Sequence, residues 1–352
     1  MAPNPRVHGP LAAAAISRTP CHTIAPARER IPRPLRRIGP TIAKGIIRYM
    51  VDVSVVIATR NRELLVKQAI DSVLAQSEKV REVIVVDDGS MDGTRAQLAA
   101  YGDRIRVFHQ ENEGASAARN RAIRAAQATW IAFLDDDDVW LETKIECQMA
   151  LIRQNPGLGI VYCSDYSVDE HLRILNTRAA KPDNRGNVFE RLMLKNFIYT
   201  SCVLARRDLI ESAGYMNPAY QFAEDWDLWL RIAATHPVDF VSEPLVLYRQ
   251  SPTACLTQQL SAEKCFHDMD RILIAATRLR SVPWPVKMLA RHQLEAKWAG
   301  AFLSQGSNGL AFRHAIKAVW ARPWSPAGYQ ILLRSMLPRQ VRSWTKRALL
   351  RA

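Results

Sequence analysis

From Val51 onward the apolar and polar positions follow two alternating rhythms. VDVSVVIA (51–58) is a β-branched run without clean alternation, the pattern of a strand buried on both faces. ELLVKQAIDSVLAQ (63–76) repeats apolar residues at helical spacing. EVIVV (82–86) predicts a second strand, IRVFHQ (105–110) a third and TWIAFL (129–134) a fourth. Between them, Asp92 is placed to cap a helix carrying Ala96, Leu98 and Ala99, and GASAARNRAIRAAQ (114–127) reads as another helix. Such alternation predicts an α/β fold with a mostly parallel central sheet and helices on both faces. Ligands on such sheets sit beyond the carboxyl ends of the strands.

The pattern then loosens. IVYCSDY (160–166) and TSCVLA (200–205) read as strands, and RRDLIESAG (206–214) as a helix closed by Gly214. FAEDWDLWLRIAATH (222–236) is an amphipathic helix with Glu224, Asp225 and Asp227 in its first turn. From Ser261 the chain reads as helices interrupted by proline. Residues 1–49, rich in Pro, Arg and Ala, predict a disordered basic extension. The expected organisation is this extension, an α/β domain over 50–260, and a basic helical region over 261–352. Met50 stands directly before the first strand and is expected to be the true start.

Charge sharpens that division. Residues 1–50 carry 9 basic and 1 acidic side chains, residues 51–279 carry 26 and 32, and residues 280–352 carry 13 and 1. An acidic body therefore has a basic piece at each end, which suits an anionic partner. Nucleic acid is the weaker expectation, because no zinc-finger spacing, basic zipper or RNA-binding aromatic signature occurs. The six cysteines form no CxxC pair, which fits a reduced cytoplasmic setting. No run of 18 uncharged apolar residues is present.

Candidate chemistry collects at three strand ends: ATRNR after the first, DDGS after the second and DDDD after the fourth. Asp135, Asp136, Asp137 and Asp138 repel one another, the more so near a dry core, and call for a compensating positive charge. A divalent cation with oxygen ligands would supply it. DDGSMDG is not a calcium loop, since Ala99 stands where the bidentate Glu would be required.

ATRN, VVDDGSMDGT, NEGASAARNRA, FLDDDDVW and AEDWDLW occur in an order and spacing that resembles the family 2 glycosyltransferases of the GT-A fold, over about residues 52–250. The resemblance implies an inverting enzyme that moves a sugar from a nucleotide-sugar, a UDP-sugar above all, to a hydroxyl acceptor. It implies Thr59, Arg60 and Asp88 at the base and ribose, and Arg119 and Asn120 beside the sugar diphosphate. Asp135, Asp136 and Asp137 match the D-x-D element: Asp137 would bind Mn²⁺ or Mg²⁺, with Asp135 and Asp136 on the ribose or on bound water. Asp225 matches the catalytic base, and Asp138 would tune the field. Two positions depart from the family pattern. Arg60 stands where Tyr is frequent, and Gln250 and Ser251 follow Tyr248-Arg249 where a metal-site His is frequent. His236 and His267 read as surface histidines. A catalytically inactive nucleotide-sugar-binding or scaffold protein of the same fold is the alternative.

The C-terminal stretch ILLRSMLPRQVRSWTKRALL (331–350) joins basic residues to a broken apolar face. It is expected to hold the protein peripherally on an anionic cytoplasmic membrane face, where a carbohydrate or lipid-linked acceptor for surface polysaccharide or glycolipid synthesis would reside.

Overall fold

A computed structural model describes residues 51–250 and 260–337. The expectations for residues 1–50, for Ser251 and for the end of the basic tail lie outside the described residues. Nine strands form one sheet: β1 (Val51–Thr59), β2 (Val80–Asp88), β3 (Arg106–Gln110), β4 (Trp130–Asp135), β5 (Val139–Trp140), β6 (Ile160–Val168), β7 (Ile174–Arg178), β8 (Leu204–Arg206) and β9 (Val238–Arg249). The spatial order is β3-β2-β1-β4-β8-β6-β9-β5, with β7 alongside β6. β1, β2, β3 and β4 are mutually parallel, β8 runs antiparallel between β4 and β6, and β9 runs parallel to β6. The sheet is thus mostly parallel, as the periodicity predicts.

Helices α1 (Glu63–Leu74) and α2 (Thr94–Ala99) connect β1 to β2 and β2 to β3, and α3 (Ala115–Ala125) returns from β3 past β1 to β4. Right-handed crossovers put α1 and α2 on one face and α3 on the other. Burial on both faces explains the unbroken apolar runs: Val55, Val56, Ile57, Ile84, Val85, Val86, Ile131 and Phe133 are all sealed from solvent. After β5 come α4 (Lys144–Gln154), α5 (Phe189–Leu194), α6 (Arg207–Ser212) and α7 (Glu224–Ala233). The C-terminal part is α8 (Ala262–Leu279), α9 (Trp284–Ser304), α10 (Asn308–Ala321) and α11 (Pro326–Met336). Pro285 and Pro326 lie in the first turns of α9 and α11, where a missing N–H costs nothing.

One local reading changes, and one long strand went unread. TSCVLA is a strand only over Leu204–Arg206; Thr200–Cys202 is a 3₁₀ turn, closed by the N–H of Val203 donating to the Thr200 carbonyl at 3.1 Å. The twelve-residue β9 gives a weak strand pattern because Pro244 interrupts it, and its register against β6 shifts there. α7 is anchored by Trp229, whose ring meets Phe133 of β4 edge-on with centroids 5.3 Å apart. Asp225 lies one turn before Trp229, so this packing delivers it to the carboxyl end of β4.

Candidate active site

The acidic run turns the corner out of β4. Asp135, Asp136 and Asp137 keep partial contact with solvent, while Asp138 points inward and is 1% exposed. Asp138 accepts from the Ser201 hydroxyl at 2.5 Å and from the backbone N–H of Arg249 at 2.8 Å. Burial, reinforced by Asp137 and Asp135, nonetheless pushes its carboxyl well above the usual range. Burial and the neighbouring Asp137 raise Asp136 to about 7, and burial with Asp135 raises Asp137 as well. The chain itself supplies part of the compensation that the sequence seemed to lack. Arg249 Nε donates to the Asp137 carbonyl at 2.8 Å and Nη2 to Gln68 at 2.7 Å, while the positive field of Arg62 reaches Asp136 and Asp137.

Arg119 joins this run to the start of α7. Its guanidinium donates to Asp135 at 2.6 Å and to Glu224 at 2.8 Å. Although burial opposes its charge, the two carboxylates hold it firmly protonated. Asp225, the next residue, accepts from the Thr200 hydroxyl at 3.1 Å and from Asn196 at 3.5 Å. Burial first, then the charge of Glu224, raises the Asp225 carboxyl to about 7, with Arg119 and Thr200 pulling the other way. Adjacent hydroxyls of one turn thus touch both ends of the site, Thr200 on Asp225 and Ser201 on Asp138.

The β1 and β2 ends complete the rim. The Thr59 hydroxyl is sealed from solvent without a hydrogen bond of good geometry, close enough to Asp136 only to temper its rise. Asp87 is fully buried; burial works against its charge, but Ser90, His109 and Arg95 outweigh it and hold the carboxyl low. Asp88 accepts from Gln110 at 2.9 Å and from the N–H groups of Glu113 and Gly114 at 2.8 and 2.9 Å. Asn112 donates to it at 3.1 Å, in the amide orientation that also accepts from exposed Arg60 at 3.1 Å. Gly114, at φ 91°, makes the turn into α3 that these bonds fix. A cleft of about 340 Å³ lies beside this rim, lined by Gly89, Ser90, Arg95 and His109 among others.

Residues 54–214 match the model of Glycosyl transferase family 2. The chain is 30% identical over 195 residues to the Escherichia coli UDP-Glc:alpha-D-GlcNAc-diphosphoundecaprenol beta-1,3-glucosyltransferase WfgD, covering 54% of this chain and 73% of that one. The chain belongs to glycosyl transferase family 2. The fold of this family 2 chain is likewise that of solved glycosyltransferases. S. aureus TarS 1-349 in complex with UDP-GlcNAc is similar at TM-score 0.58 and 16% identity, over 76% of this chain and 81% of that one. The mannosyltransferase PcManGT from Pyrobaculum calidifontis, in complex with GDP-Man and Mn2+, is similar at TM-score 0.53 and 20% identity, over 85% and 84%. The matched stretch spans only 34% of the length of two uncharacterized rickettsial glycosyltransferases.

Of the residues singled out in the sequence, Arg119, Asp135, Asp136, Asp137 and Asp225 come together with Thr59 where β1 and β4 end and α7 begins; the 340 Å³ cleft is lined by other residues. Asp88 and Asn120 are occupied elsewhere. Asp88 is committed to the loop before α3, and both ends of the Asn120 amide pair with the backbone of Met216, at 2.7 and 2.9 Å. His236 lies at the far end of α7 from Asp225, and His267 is exposed on α8. Sequence reasoning missed Thr200, Ser201, Asn196 and Arg249 as parts of the site. Only the position of Arg249, directly after Tyr248 at a strand end, was visible beforehand.

Proposed function

We propose that the protein is an inverting, metal-dependent glycosyltransferase that moves a sugar from a UDP-sugar to a hydroxyl of a carbohydrate or lipid-linked acceptor. The observation that carries this reading is the double ion pair of Arg119 with Asp135 and Glu224, which holds the acidic run against the start of α7. The run offers hard carboxylate oxygens of raised proton affinity, a donor set suited to Mn²⁺ or Mg²⁺. Among the described residues no three such side chains form a closed cage. An ion of this kind is commonly held by one or two carboxylates and completed by phosphate oxygens and water. Asp137 and Asp135 are the residues that would hold it. When bound, the ion supplies Lewis-acid stabilisation of the charge that builds on the leaving diphosphate.

The chain's own residues do the rest. Asp225 accepts the proton of the acceptor hydroxyl as that oxygen attacks the sugar carbon and the bond to the diphosphate breaks. Thr200 and Asn196 orient its carboxylate. Arg119 keeps Glu224 paired, so only one free base faces the acceptor, and a single displacement inverts the anomeric centre. Thr59 and Arg60 would contact the base and ribose. Asp88 shapes that edge through the loop before α3, and Asn120 acts by fixing the loop before α7 at Met216. The deciding experiment is Asp225→Asn, assayed for donor binding and for transfer with and without Mn²⁺. Donor binding should persist while transfer falls about 10²–10⁴-fold, the contribution typical of a general base. Full transfer in the variant would remove Asp225 from the mechanism; metal-independent transfer in the unaltered protein would remove the ion.

A further inference from the structure

The largest exposed apolar side chains are not scattered evenly. Ile316, Trp320, Trp324, Tyr329, Leu333 and Met336 all fall within 21 residues of α10, α11 and their connection, and Trp320 and Trp324 are 82% and 72% exposed. On α10, Arg313, Ile316, Lys317 and Trp320 recur at one helical face, while Ala311, His314, Ala315 and Ala318 of the opposite face are buried. On α11, Tyr329, Leu333 and Met336 likewise share a face, and Gly328 on the other side packs against Val319 so closely that a Cβ would meet it at 3.0 Å. Buried His292 of α9 contacts the Ala318 carbonyl at 2.8 Å and the Ser325 hydroxyl at 3.0 Å. These bonds hold the α10–α11 corner against the first half of α9, the half that begins with Trp284, itself 65% exposed. Trp320 and Trp324 therefore flank a corner that is held against the half of the helix on which Trp284 also lies.

Charge identifies what covers them. No Asp or Glu occurs from residue 296 to residue 352, where ten Lys and Arg residues do. The last acid before this stretch, Glu295, is buried and already paired with Arg291 and His314. A protein partner for an apolar patch asks for an apolar counterpart, and nucleic acid asks for base-reading or stacking grooves. Exposed indoles and a phenol on helices and a connection that carry Arg313, Lys317, Arg322 and Arg334 and no acid of their own instead match the headgroup layer of an anionic bilayer, whose apolar and wet sides suit an amphipathic ring. Among the described residues no helix is long and apolar enough to cross a membrane, so contact would be along the surface.

We propose that the α10–α11 corner, centred on Trp320 and Trp324, is a docking surface for an anionic lipid bilayer. This inference stands on the surface alone and does not depend on the catalytic reading. The test is co-sedimentation of the full chain with phosphatidylglycerol-containing and with pure phosphatidylcholine vesicles, beside the double variant Trp320→Ser/Trp324→Ser. Both side chains are exposed, so circular dichroism and donor binding should be unchanged in the variant. The full chain should pellet with the anionic vesicles and be released by salt, and the variant should bind them at least about tenfold more weakly. Equal binding by the variant overturns the proposal, as does equal pelleting with neutral vesicles or none with either. Sedimentation velocity is run alongside: a dimer abolished by the double substitution would assign the corner to a second copy, and variant-sensitive binding to DNA or RNA would assign it to nucleic acid. Either result overturns the bilayer.

Discussion

Asp225 carries two opposed influences on one proton. Burial and Glu224 raise its affinity to about 7, while Thr200 and Arg119 lower it. A base must be deprotonated to act, so kcat/KM for transfer should rise with pH and level off above about 7. Glu224→Gln removes a negative charge beside Asp225 and should move the midpoint to lower pH. A pH–rate profile from 5 to 9 for both proteins makes the comparison, and an unmoved midpoint would mean that another group titrates. Arg119 shows why residue type matters at this scale. Its planar fork reaches two carboxylates on different elements, a geometry that a lysine ammonium cannot reproduce.

The loop between α6 and α7 is where elements determine chemistry. Tyr215 and Ala223 take left-handed backbone conformations, at φ 65° and 60°, which cost an alanine about 1–2 kcal/mol. The surroundings offset that cost. Asn120 of α3 clamps Met216 from one side, and from the other buried Asp268 of α8 accepts from the N–H of Gln221 at 3.0 Å. Phe222 meets Trp298 of α9 edge-on. The C-terminal helices thus set the angle at which α7 presents Asp225. Asp268→Ala should lower kcat for transfer about tenfold or more with the donor KM unchanged, since small displacements of a catalytic group are costly. A matching rise in donor KM would instead indicate a general loss of structure.

Across the whole molecule, four site carboxylates are held above their ordinary range: Asp136, Asp137, Asp138 and Asp225. The folded chain then keeps protons that the unfolded chain has released, so these groups cost stability as pH climbs from about 4 towards 7 and beyond. Ligands that bind only the folded state and bring positive charge should relieve that cost. Mn²⁺ with UDP should therefore raise the melting temperature more at pH 7.5 than at pH 5.5. An equal or smaller gain at pH 7.5 would show that the acidic run does not receive the ion. The first four strands and the carboxylates at their ends were legible in the sequence, because hydrophobic period and side-chain chemistry are local properties. The cap expected at Asp92 falls one residue off: Gly93 is the N-cap of α2, and the Asp92 carboxylate accepts instead from the Thr94 N–H at 3.0 Å. The acidic run also announced its need for positive charge, but not where that charge comes from. Arg119 pairs with Asp135 and ties it to Glu224 across 105 residues of chain, and the Arg249 guanidinium reaches Asp137 across 112. Asp88 and Asn120 looked like ligand-facing residues until packing turned their polar atoms onto backbone groups. The sequence by itself determined which chemical groups stand at the strand ends. Only the tertiary structure decided which gather at the site and which are consumed in holding it, because a buried polar group must find its partner wherever the fold brings one within reach.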